Sequence, residues 1–253
     1  MSRPANALAF VSTLCALALC ALAPAAAGAA QIARISAAFT PERLGAATTV
    51  SFGFRIAAPG GTPAPLRGIE LAYPPNLGFA TSGLGVAACP LEVLEALGPA
   101  ACPPDSRMGY GSAHVEIPIS AHPVEESVTL ALVAGPSTDG YLHLLVYASG
   151  STPVIAEVVL SGVLLPGRID IVVPPIPSLP EAPYVAVTQM RLTLGGDLTY
   201  YETVGGASVA YRPPGVGLPR GCPRRGFRFA ATFAFIDGTR SKASTSVACP
   251  HRR

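Results

Sequence analysis

The sequence predicts an all-β protein, an immunoglobulin-like antiparallel β-sandwich, elaborated as one unit or packed as two halves, with one short helix inside a disulfide loop. Three observations carry this expectation. Thirteen short runs rich in Val, Ile, Phe, Thr and Tyr follow one another, separated by turn pairs such as Asp139-Gly140 and Asp237-Gly238. Gly (26) and Pro (27) make up about a fifth of the 253 residues, more than a helical bundle or coiled coil tolerates. Charged residues are 13% against 50% hydrophobic, net charge is +2 and mean hydropathy is +0.45, which excludes a disordered chain. Collagen is excluded too, because Gly does not recur at every third position.

Taken in order, residues 1–30 read as a secretory signal peptide. Arg3 precedes an apolar stretch from Ala7 to Leu22, and Ala27-Gly28-Ala29 or Gly28-Ala29-Ala30 supplies a small-x-small cleavage site. The expected location is therefore extracellular or cell envelope, with no transmembrane span after cleavage. Residues 31–253 form the β-region. Its strand-like runs begin with Ala33–Phe39, Thr48–Ala57, Arg67–Tyr73, Ser112–Ile119 and Ser127–Ala134. Tyr141–Ala148, Val154–Leu165, Arg168–Val173, Tyr184–Leu194 and Leu198–Val204 follow, then Ala207–Tyr211, Gly226–Ile236 and Arg240–Ala248. Ser120–Glu126 is a candidate linker, dividing the region into 31–119 and 127–253. Between Pro90 and Leu97 the spacing of Leu91 and Leu94 is helical, and Pro90 suits a first turn.

The exported part keeps four cysteines, Cys89, Cys102, Cys222 and Cys249, each followed by proline. An even count in an exported chain points to disulfides, and proximity favours Cys89–Cys102 and Cys222–Cys249 among the three connectivities. A zinc site built from all four thiolates is disfavoured because the chain has no Cys-x-x-Cys pair. In the last hairpin Phe227, Phe229, Ala231, Phe233 and Phe235 share one face, which must be buried. A three-residue loop Asp237-Gly238-Thr239 then turns Arg240 and Lys242 outward and sets Cys249 level with Phe227.

Two stretches resemble a known group of sequences. Cys89-Pro90-Leu91, Cys102-Pro103-Pro104-Asp105-Ser106 and Met108-Gly109-Tyr110-Gly111 form the first. Cys222-Pro223, Gly226-Phe227, Phe229-Ala230-Ala231-Thr232-Phe233, Asp237-Gly238-Thr239 and Cys249-Pro250 form the second. Both resemble uncharacterised exported Cys-Pro-rich β-sandwich proteins of high-GC Gram-positive bacteria, over about a third of the chain. The resemblance implies export and a disulfide-stapled β-fold, and carries no activity.

Chemistry-bearing residues are sparse. His114 and Glu116, two apart on a strand, share a face and form a candidate acid/base or metal pair. His143 reads as a half-buried strand histidine, His122 and His251 as solvated, and Glu125-Glu126 and Glu92/Glu95 as solvated carboxylates. The residues around Ser112 do not make a hydrolase elbow, since Tyr110 and His114 stand where Gly is required. No phosphate-cradling or dinucleotide motif is present, and neither cofactor, metal nor catalytic residue is assigned.

Charge placement has more to say. From Arg212 to Arg253 there are nine basic residues and one acid, whereas residues 31–211 hold seven Arg and 14 acids. Arg224, Arg225, Arg228, Arg240 and Lys242 are the candidate anion-binding set, for an anionic envelope polymer or an acidic protein partner. Nucleic acid is not expected, given export and the lack of stacking aromatics. The functional expectation is a secreted or cell-envelope, non-enzymatic binding or structural protein. The alternative is an extracellular hydrolase with a shallow His/carboxylate site.

Overall fold

The computed structural model of the chain describes residues 30–79, 84–118, 122–152, 155–177, 183–195, 199–213 and 215–250. The expected signal peptide, His251, Arg252 and Arg253 lie outside them, as does part of the Ser120–Glu126 stretch. Each of the thirteen expected runs contains a strand; Ile119, Val154 and Leu198, at the ends of three of them, lie outside the described residues. In chain order the strands are β1 (Ile32–Thr40), β2 (Ala47–Ala57), β3 (Leu66–Ala72), β4 (Arg107–Ile117), β5 (Val124–Thr138), β6 (Tyr141–Gly150) and β7 (Ala156–Leu165). Then come β8 (Arg168–Val172), β9 (Ala186–Leu194), β10 (Tyr200–Val204), β11 (Ala207–Tyr211), β12 (Val216–Gly217), β13 (Phe227–Phe235) and β14 (Arg240–Val247). Only the two-residue β12 was not expected. The helix α1 (Leu91–Leu97) starts after Pro90, as the spacing predicts.

The ladder runs through a single sheet, where the sequence reading expected two. Its order is β1-β2-β9-β4-β5-β6-β7-β8-β3-β13-β14, with β12 added to β2 and β10-β11 as a separate hairpin. Two strands make the join. The ladder of β9 bridges β2 to β4, and that of β3 bridges β8 to β13, so early and late strands interleave.

Every pair in the path is antiparallel, and the path holds eleven strands. Direction therefore alternates an even number of times, and β1 and β14 point the same way. These edge strands lie side by side: the Ala33 N–H donates to Ser241 Oγ at 3.2 Å, and Phe39 of β1 reaches past the edge to pack edge-on against Phe227 of β13 at 5.2 Å. The sheet is thus nearly closed and barrel-like, with a seam where it meets itself.

One core fills the interior. Phe227, Phe229, Phe233 and Phe235 are all at most 1% exposed; Phe227 and Phe229 meet Phe39 of β1, and Phe233 meets Phe54 of β2. A second, smaller cluster lies on the outer face of β5 and β6. There Cys89, Leu94 and Cys102 cover Val133, Leu145 and Tyr147. This explains why the Tyr141–Leu165 stretch is apolar on both faces: the disulfide loop with its helix roofs the outside.

Both disulfides form as expected, Cys89–Cys102 and Cys222–Cys249. The last hairpin has the expected facing, with Arg240 and Lys242 exposed, but its register is two residues off. Phe227 pairs with Val247, not Cys249, and Phe233 with Ser241. The loop is Ile236-Asp237-Gly238. The Gly238 N–H donates to the Phe235 carbonyl, Gly238 takes φ +83°, and Phe235 N–H closes on the Thr239 carbonyl. That is the three-residue turn with a left-handed glycine at its third position. Asp237 Oδ1 fixes it further, accepting from Thr239 N–H at 2.9 Å and Thr239 Oγ1 at 2.7 Å.

Where β4 and β9 meet, glycine permits a close approach. A Cβ on Gly111 would lie 2.1 Å from the Arg191 carbonyl oxygen and 2.9 Å from Leu192 Cδ2. Gly111→Ala is therefore expected to push the two strands apart at a cost of about 1–3 kcal/mol. The check is a lowered urea midpoint at unchanged slope.

Candidate functional site

The five basic residues singled out by charge are all exposed, but they do not form one cluster. Arg228 stands opposite Ser246, while Arg240 stands opposite Ala234 at the other end of the hairpin. Six residues of strand, about 20 Å, separate the two levels. Arg224 and Arg225 lie with Arg228 at the end stapled by Cys222–Cys249. Arg240 and Lys242 lie at the turn end, flanking Ser241 and hence the seam beside Ala33.

Across that seam the structure adds three arginines that charge patterning did not single out. Alternation turns Arg34 of β1 and Arg55 of β2 outward, and the two are direct cross-strand partners. Arg191 of β9 faces out beside them, opposite Gly53. A basic band thus runs over β14, β1, β2 and β9 at one level: Arg240, Lys242, Arg34, Arg55 and Arg191. Between described residues the ion pair is Arg168–Asp170 (2.9 Å), on β8, so direct pairing neutralises none of the band.

The band ends in a polar row set by register. Arg55 opposes Gln189, Gln189 opposes His114, and His114 opposes Ser127. Gln189 Oε1 accepts from Arg55 Nε at 3.2 Å and Nη2 at 2.7 Å, and His114 Nδ1 lies 3.3 Å from Ser127 Oγ. Beyond the row Glu116 faces Glu125 directly. An open surface cleft of about 390 Å³ brings His114, Glu116, Glu125, Gln189 and Arg55 together. His114 and Glu116 therefore do share a face, and Glu125 joins them from β5.

Other expected groups lie apart. His143 of β6 is half-buried and sits 2.6 Å from Thr138 Oγ1. Its β5 partner is Gly135, eight residues from the Ser127 that meets His114. Glu92 and Glu95 are exposed on the helix. Glu126 corrects the expectation of a solvated loop carboxylate. Because β5 already begins at Val124, alternation turns Glu126 inward, where it is 5% exposed and accepts the Thr152 N–H at 3.1 Å. It overlooks an apolar cavity of about 90 Å³ lined by Phe54, Ile69, Val128, Leu160 and Met190. The space is partly open and well below the roughly 300 Å³ of a small-molecule pocket.

On the outer side, burial and then the neighbouring Glu157 push the Tyr147 hydroxyl up to about 12, so it stays protonated at neutral pH and offers no base. Among the described residues no three His, Cys, Asp or Glu side chains are placed to hold a metal ion.

These features define a disulfide-stapled β-protein built on one nearly closed main sheet, with an arginine-bearing band on its outer face. No family model, curated protein or solved structure matches the chain.

Proposed function

We propose that the chain is a secreted or cell-envelope, non-enzymatic binding protein that docks an anionic polymer or acidic partner on its basic outer band. The observation that carries this reading is the seam. It sets Arg240 and Lys242 beside Arg34, and Arg55 and Arg191 continue the band with no carboxylate partner among the described residues. Unneutralised like charges on neighbouring strands repel, and a polyanion removes that repulsion while steering its own approach. Two disulfides fit an oxidising compartment. Among the described residues no helix is long and apolar enough to cross a membrane. The outer faces of β1, β2, β9 and β14 carry Arg, Ser and Thr where a lipid-facing barrel carries an apolar band. Within this reading the sheet works as a flattened barrel, its walls packed like the layers of a sandwich, with Phe54 5.0 Å from Phe233.

Cell fractionation and pull-down on purified anionic cell-wall polymer test the proposal. Binding is expected at low salt and is expected to fall steeply as the Debye length shrinks from about 30 Å at 0.01 M to about 8 Å at 0.15 M. Absent or salt-insensitive binding overturns it.

A second reading has one observation of its own. The cleft holding His114, Glu116 and Glu125, with Ser127 at hydrogen-bond distance from His114, suits a shallow surface hydrolase. Most neighbouring amides of β4, β5 and β9 are engaged in the ladder, with Thr188 left out of the pairing at the bulge between β4 and β9, so the cleft offers the oxyanion of such a reaction few backbone donors. Turnover of ester or glycoside substrates that His114→Ala abolishes would replace the binding reading with this one.

A further inference from the structure

Around Gly53 the basic band contains a discrete depression of about 270 Å³ with Arg34, Arg55 and Arg191 on its walls. Gly53 forms its floor. It faces outward between Ser36 of β1 and Arg191 of β9, and has no side chain to fill the space. A Cβ there would already press on Ser36 Oγ at 3.1 Å and on the Met190 carbonyl oxygen at 3.2 Å.

Three arginines line the depression from three different strands. Arg34 and Arg55 are opposed across β1 and β2, and Arg191 stands one diagonal step from Arg55 across β2 and β9. Direct partners of like charge destabilise a sheet. Here no described carboxylate relieves them. One of the three is also oriented. Gln189 Oε1 holds Arg55 through Nε and Nη2, which fixes the guanidinium plane and leaves three of its five N–H donors uncommitted. Guanidiniums bind multi-oxygen anions through paired, parallel hydrogen bonds, and Ser36 adds a hydroxyl at the rim.

We infer that this depression is a binding site for one tetrahedral oxyanion, a phosphate or sulfate group. Arg34, Arg55 and Arg191 bind its oxygens and Gly53 leaves the room. The inference rests on the proposed function only in taking that group to be part of the polymer; the site itself stands on its own geometry.

The test is calorimetric titration of the disulfide-intact protein with inorganic phosphate and, separately, sulfate, against sodium chloride at matched ionic strength. One saturable site is expected for the oxyanions and none for chloride. Arg55→Gln with Arg191→Gln, both exposed changes, is expected to weaken binding roughly tenfold or more. Arg224→Gln with Arg225→Gln, at the far end of the barrel, is expected to leave it unchanged. Gly53→Ser, if folded by circular dichroism, is expected to block the site with every arginine in place. No saturable binding, an equal response to chloride, or equal loss in the two double variants overturns the site. Polymer retention is scored in parallel on a phosphate-bearing and a carboxylate-only polymer. Phosphate binding without retention leaves the site standing and removes the polymer. Salt-sensitive retention of both polymers without phosphate binding does the reverse.

Discussion

Phe233→Ala is expected to lower the unfolding free energy by about 3–5 kcal/mol. The ring is fully buried and lies 5.0 Å from that of Phe54, with its plane tilted by 63°. It thus couples β13 to β2 across the interior, and its removal leaves a cavity between two walls that cannot easily collapse toward each other. Urea unfolding with both disulfides intact measures the effect. Thr232→Ala, the half-buried neighbour on the outer face, is the control and is expected to fall within about 0.5 kcal/mol of the parent. Equal small effects for both would mean that the Phe row does not hold the walls together.

Replacing Cys222 and Cys249 by Ser is the second large effect. The bridge spans 27 residues and closes the end of the β13–β14 hairpin. By the chain-entropy relation it restricts the unfolded chain by about 3.5 kcal/mol, against about 3 kcal/mol for the 13-residue span of Cys89–Cys102. The double variant is expected to lose that much stability. Reducing only this bridge in the parent protein is expected to bring its midpoint down to the variant's. A midpoint insensitive to reduction would show that the staple contributes nothing.

How far the molecule could be read from its sequence follows from the range of the forces involved. Strands, helix and disulfides were legible because their signals are local: alternation in the Phe227–Phe235 run, helical spacing after Pro90, thiols 13 and 27 residues apart. The hairpin's facing was legible and its register was not. Sliding by two residues preserves facing, and only the choice of Ile236 over Thr239 as a loop residue separates the two registers. Closure into one sheet was hidden for a different reason. It depends on β2 finding β9 and β3 finding β13, pairings between distant segments that leave no local pattern.

The candidate site shared that fate. Arg34 and Arg191 are 157 positions apart, both within residues 31–211, whose net charge is negative. Counting charge along the chain therefore directed attention to the C-terminal end. The C-terminal pair Arg240 and Lys242 does take part, but the residues that complete the band come from β1, β2 and β9. The weak signal available was the two-residue period itself, which already placed Arg34 and Arg55 on the polar faces of their strands.

An odd number of strands gives the barrel a preferred line of failure. Ten antiparallel ladders hold the wall, while the same-direction edges β1 and β14 meet through side-chain packing and the bond from Ala33 to Ser241. Opening there breaks the fewest hydrogen bonds, and it also parts Arg34 from Arg240 and Lys242. A polyanion laid across both edges acts as a suture, so occupancy and closure are thermodynamically linked. Heat or denaturant that parts the edges releases the polymer, and bound polymer raises the temperature at which they part.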